Sequence, residues 1–177
     1  MIDSTTDVAG TTTPVQTFTL KSNELGGQFT NAQFFSGMGF TGDSRSPQLY
    51  WENAPADTQC FAVTMYDLDA PTGSGFWHWV LFNIPASTHQ LEPDAGNLNK
   101  SLTPAGAVQS NSDFGVPGYI GIAPTPGPAH RYLITVHALG DKLELDASAT
   151  PAYVGFSMAG ITLDRASLLV YGKSSAQ

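Results

Sequence analysis

Three stretches of the chain carry bulky apolar residues at nearly every position: "CFAVTMYD" (Cys60 to Asp67), "FWHWVLFNI" (Phe76 to Ile84) and "HRYLITVHAL" (His130 to Leu139). The first two bury both alternating faces and predict central strands of a sheet. The third restores a period of two and predicts a third core strand. "QTFTLKS" reads as an opening strand, the run before Trp51 as a short strand, and "TLDRASLLVYG" as the closing strand. "TPAYVGFSMAGI" predicts a short helix, with Thr150 as N-cap and Pro151 at its first position. Between Pro85 and Ala129 lie about 45 residues without clear periodicity, a length that points to a functional surface.

Composition agrees with many turns joining short buried strands. The 177 residues include 18 Gly and 12 Pro, are 41% hydrophobic, and suit one domain with a sizeable core. Residues 1–15, rich in Thr, read as a flexible leader, and 16–177 as a single domain. The leader has neither a basic start nor an apolar centre, so as it stands it is not a signal peptide. Net charge is -8, with seven Lys and Arg scattered singly, which argues against nucleic acid as a partner. No apolar run reaches the ~18 residues of a transmembrane segment. Cys60 is the one cysteine, which excludes an internal disulfide and reads as a buried small hydrophobe.

Polar chemistry gathers at the ends of the three core strands. Residues two apart share a face, so Asp67 and Asp69 continue the row of Phe61, Val63 and Met65. By the same rule His78 is placed with Val80 and Phe82, and His130 with Tyr132, Ile134 and Val136, while Arg131 points away. Two close carboxylates tolerate burial only when donors or a cation hold them, and imidazoles and a tyrosine hydroxyl are suitable donors. Two Asp, two His and one Tyr therefore suit a small polar pocket. The opposing reading is plain structure: Asp before Ala-Pro caps a bend, and a histidine in a strand is more often a satisfied core residue. Trp77, Trp79, Phe76 and Phe82 read as core, and His89 and His137 as incidental. No tight His or Cys spacing supports a metal, no cofactor motif is found, and no nucleophile with an evident base stands out.

The segment "YDLDAPTGSGFWHWVLFNIP" resembles the signature of the phosphatidylethanolamine-binding protein (PEBP) or Raf-kinase-inhibitor-like family, in its bacterial YbhB/YbcL-like branch. "GDSRSPQLYW", "SDFGVPGYIGIAPTPGPAHRY" and "YVGFSMAGITLDRASLL" resemble it too, so the likeness runs from about Thr17 to Tyr171. It implies a mainly all-β fold, an antiparallel β-sandwich with a large central sheet and a few short helices. It also implies a pocket for phosphate, acetate or a phospholipid-type headgroup, formed by Asp67, Asp69, Pro71, His78, Gly121, His130 and Tyr132. A cis bond at Ala70-Pro71 is implied as well, aiming Asp69 inward. The chain departs from the family at Leu68, which replaces the first proline of DPDAP. It departs again where GPxPP reads Gly121-Ile122-Ala123-Pro124-Thr125-Pro126, which places Ile122 at the pocket rim. The cysteines that many bacterial relatives carry near Phe40 and Ala123 are absent.

The reading that follows is a non-enzymatic binding protein for a small anion or phosphorylated headgroup, binding of which modulates a partner protein. Kinase inhibition comes from eukaryotic relatives and is an analogy of fold. The alternatives are an enzyme using the Asp/His/Tyr pocket for acid-base chemistry, and a homodimer or secreted effector acting through its surface. The residues leave location open; the Thr-rich leader and acidic balance tilt it towards the periplasm or the exterior, with the cytoplasm as the alternative.

Overall fold

The computed structural model describes residues 16–174, so the leader read at 1–15 lies outside the described residues. The three apolar runs become β5 (Cys60–Asp67), β6 (Phe76–Pro85) and β9 (His130–Leu139). They lie together in a five-stranded antiparallel sheet completed by β10 (Thr162–Gly172) and β8 (Val108–Gln109), in the order β10-β9-β5-β6-β8. β5 is the middle strand, which explains why all its residues but Tyr66 are buried. β1 (Thr19–Lys21), β4 (Leu49–Glu52) and β7 (Gln90–Leu91) form a smaller sheet, and β2 (Ser36–Gly37) and β3 (Phe40–Thr41) a hairpin. One face of β5 (Phe61, Val63, Met65) packs with Trp79, Leu81 and Ile134 towards Leu49, Trp51 and Leu91 of the smaller sheet. The other (Cys60, Ala62) packs with Val80, Phe82 and Leu139 under Val154 and Met158 of helix α1 (Pro151–Met158). Thr150 caps α1 by accepting from Tyr153 N–H, and Pro151 opens it.

Each fully buried Leu, Ile or Phe contributes roughly 1.5–3 kcal/mol. Exposed ion pairs such as Lys21–Glu52 are screened by solvent and add little. The two apolar layers therefore hold the sandwich.

The stretch from Pro85 to Ala129 is not the structureless loop its lack of period predicts. It contains β7 and β8, an isolated bridge between Asn111 and Pro117, and the buried Ala95, Tyr119 and Ile122. Its strands are short and join different sheets, so no period builds up in the sequence. The Ala70–Pro71 bond also differs from expectation, since it is trans. Gly73 and Gly75, at φ 82° and 69°, carry the chain reversal after β5. A side chain at Gly75 would collide with the Tyr66 hydroxyl, itself bonded to the Ser74 carbonyl.

Candidate functional site

β5 and β6 are out of step near their shared end. Met65 lies opposite Trp79, yet Tyr66 lies opposite Trp77, so His78 is the extra residue of a β-bulge. A bulge interrupts alternation and re-aims a side chain. Trp77 and Val80 consequently face α1, while His78 turns to the opposite side and meets Tyr132 edge-on at 5.5 Å. The simple alternation that grouped His78 with Val80 and Phe82 is thus corrected, and the correction brings His78 to Asp67 and His130.

These groups share a cavity of about 150 Å³, lined by Met38, Asp67, Ala70, Pro71, Thr72, Phe76, His78, Phe114, Ala123, Thr125 and His130. Its walls are apolar and its floor is polar. Asp67 Oδ2 accepts from His130 Nδ1 at 2.8 Å, and Asp67 Oδ1 accepts from Asp69 N–H at 2.9 Å. Both Asp67 and His130 are buried, and theirs is the one buried contact between a carboxylate and a basic side chain among the described residues. His130 Nε2 accepts from the Thr125 hydroxyl at 3.1 Å. His78 Nδ1 donates to the Ile120 carbonyl at 3.0 Å, which fixes the tautomer and leaves Nε2 as an acceptor. Burial holds the His78 imidazole below its usual pKa, so it is neutral at pH 7.

The other predicted site residues take different places. Asp69 lies past the end of β5 and turns to Arg131, accepting from its N–H (2.7 Å), Nε (2.9 Å) and Nη2 (2.7 Å). Those bonds hold the Asp69 carboxyl down at about 2. Asp69 therefore braces the β5–β9 junction and fixes Asp67 through its backbone. Tyr132 lies behind the cavity, stacked on His130 at 6.3 Å; its buried hydroxyl has no partner in hydrogen-bond geometry. Burial, then the nearby Asp67 charge, raises its ionisation well above the ordinary tyrosine value. Pro71 forms part of the wall.

Gly121 lies where two backbones cross: a Cβ there would sit 2.6 Å from Phe35 Cα and N. Leu68 and Ile122, two of the departures from the family pattern, do not line the cavity. Ile122 is fully buried beside Tyr132 and Phe34 in the core, drawn in by the hydrogen bonds of Ile122 to Gln33 and of Phe35 to Ile122. It is not a rim residue. Sequence reasoning missed Met38, Phe114 and Thr125 among the lining residues, as well as Ala70, Thr72 and Ala123, and it read Phe76 as core although that ring forms part of the wall. Met38 is 75% exposed at φ 53° on the β2–β3 turn, and Phe114 stacks on Phe35. An aromatic and a methionine in turns are the signal that was available. Among the described residues, no group of three His, Cys, Asp or Glu could hold a metal ion.

This sandwich with a His/Asp cavity at the end of its central strands matches a known class. The family model "Phosphatidylethanolamine-binding protein" matches residues 21–172, and the chain belongs to that family. It is 45% identical to UPF0098 protein YbhB of Escherichia coli (strain K12) over 152 residues, 84% of this chain and 96% of the relative. It is 44% identical to UPF0098 protein YbcL of the same organism over 145 residues, 80% of this chain and 79% of the relative. The crystal structure of E. coli YbcL superposes with a TM-score of 0.86 at 40% identity, covering 89% of this chain and 99% of that one. The crystal structure of CT736 from Chlamydia trachomatis shares the fold at a TM-score of 0.73 and 21% identity, over 90% of this chain and 98% of its own. No helix among the described residues is long and apolar enough to cross a membrane.

Proposed function

We propose that the chain is a binding protein whose cavity takes a small anion or phosphorylated headgroup. The observation that carries this reading is the pair His78 and His130 on one cavity floor, each with Nδ1 committed as a donor to a fixed acceptor. Their Nε2 atoms are the ones a ligand can take, His78 Nε2 directly and His130 Nε2 by displacing the Thr125 hydroxyl. Both are lone pairs while the rings are neutral, and no Lys or Arg lines the cavity. An anion is held there only as an imidazole takes up a proton, or when the ligand brings its own proton, as a phosphate monoester does.

The sign follows: affinity rises as pH falls. Calorimetric titration with phosphate and phosphoethanolamine between about pH 5 and 8 tests this on the wild type and His130→Ala. One lost hydrogen bond to a charged group costs about 1.5–3 kcal/mol, so the variant binds roughly 10- to 150-fold more weakly. Absence of binding by the wild type at the acid end refutes the reading.

A further inference from the structure

Thr125 and Asp67 meet on the two nitrogens of one imidazole. His130 Nδ1 lies 2.8 Å from Asp67 Oδ2, and Nε2 lies 3.1 Å from Thr125 Oγ1. Valence assigns the roles. An ionised carboxylate only accepts, so Nδ1 carries the ring proton, and the Nε2 lone pair faces the hydroxyl proton. His130 and Asp67 are buried, Asp67 is held by the Asp69 N–H, and Thr125 is exposed and opens on the cavity. A hydroxyl within reach of a base that a third group orients is the arrangement that activates serine or threonine for acyl transfer. Thr125 also stands at the last position of the GPxPP-like loop, where a proline offers no hydroxyl.

We propose that Thr125 is a nucleophile, and that the chain hydrolyses small activated esters through an acyl-Thr125 intermediate. This goes beyond the headgroup reading and shares only the cavity and His130 with it. Thr125 Oγ1 bonds to the carbonyl carbon while its proton passes to His130 Nε2. The tetrahedral adduct breaks its bond to the leaving oxygen, which takes that proton and departs as an alcohol or phenol. Water then adds to the acyl-threonine, its proton passing to Nε2; Thr125 Oγ1 leaves and recovers it. The net change is ester plus water to carboxylic acid plus alcohol.

The surroundings narrow the substrate class. The cavity is walled by Pro71, Phe76 and Phe114, which suits a short acyl chain. No Lys or Arg lines it, and neutral His78 presents an acceptor, so no fixed cation awaits an oxyanion. A missing oxyanion donor costs on the order of 100- to 1,000-fold in rate, which leaves esters with good leaving groups within reach and amides outside it.

The test incubates the full chain, Thr125→Val, Thr125→Ser and His130→Ala with p-nitrophenyl acetate. Nitrophenol release and intact mass with peptide mapping are read together. The expected result is one acetyl group on Thr125 and release at least about 100-fold faster than in Thr125→Val, with Thr125→Ser retaining the reaction and His130→Ala losing it. Acetyl found only on lysines or the N-terminus, or release by Thr125→Val at the wild-type rate, overturns the proposal. Thr125 is exposed, so Thr125→Val should keep the wild-type melting temperature, and phosphate titration of the same variants separates the two readings. Acetylation without phosphate binding removes the headgroup and keeps the nucleophile; phosphate binding without acetylation does the reverse.

Discussion

Gly121→Ala perturbs the point where the scaffold and the candidate site are joined. The added methyl would lie 2.6 Å from Phe35 Cα and N and 2.9 Å from the Phe34 carbonyl carbon. All three are backbone atoms, so no side-chain rotation relieves the clash. The segments must part, and two hydrogen bonds span them: Phe35 N–H to Ile122 O at 2.9 Å and Ile122 N–H to Gln33 O at 3.0 Å. Overpacking of about 1–3 kcal/mol with one or both bonds weakened, each worth about 0.5–1.5 kcal/mol, predicts a loss of about 2–5 kcal/mol. That is a large part of a typical total of about 5–15 kcal/mol. At about 2–4 °C per kcal/mol for a domain of this size, the melting temperature falls by about 4–20 °C. The neighbouring Ile120 carbonyl holds His78 Nδ1, so phosphate affinity falls as well. Calorimetric melting and titration of the same samples read both effects. A melting temperature within about 1 °C of wild type would refute the crossing as the reason for glycine here.

Gly155→Ala is the converse case. Gly155 lies inside α1 with nothing within 4 Å of where the new methyl would sit, and alanine is the better helix former, so urea unfolding should show a gain of about 0.5–1 kcal/mol. The acid side of the stability profile follows from His78 and His137. Burial, with a smaller contribution from Arg165, pushes the His137 imidazole down to about 4; burial lowers His78 too. The unfolded chain therefore binds more protons, so stability is complete above about pH 6.5 and declines as pH falls towards about 4. His137→Gln, which keeps a partner for the Thr64 hydroxyl, should remove no more than about 3 kcal/mol of that decline in urea midpoints measured across the range.

The core strands were legible because burial on both faces leaves a signal in every residue. So were α1, from Thr150 and Pro151, and the common row of Asp67 with Met65 and of His130 with Tyr132. The orientation of His78 was not, because a bulge is a relation between two strands and His78 has no unusual neighbour of its own. Ile122 was misplaced for a similar reason: its inward turn depends on Gln33 and Phe35, far away in sequence. Thr125 sits in "PTPGP", where prolines fix the path without any period, so its meeting with His130 is visible only in three dimensions. Asp69 lies two residues beyond Asp67, but β5 ends at Asp67, and with the strand ends the rule that residues two apart share a face.

The pairing of β5 with β9 has a kinetic consequence. The β5–β6 hairpin closes a short turn, whereas His130 reaches Asp67 across 63 residues of sequence. Loop closure over that distance is slow relative to a local hairpin. A newly made chain would thus hold β5 and β6 together with one broad apolar edge still waiting for β9, the state in which strands of this kind associate wrongly. The cavity closes only when β9 docks, so a ligand that needs both histidines recognises the finished molecule and not its precursors.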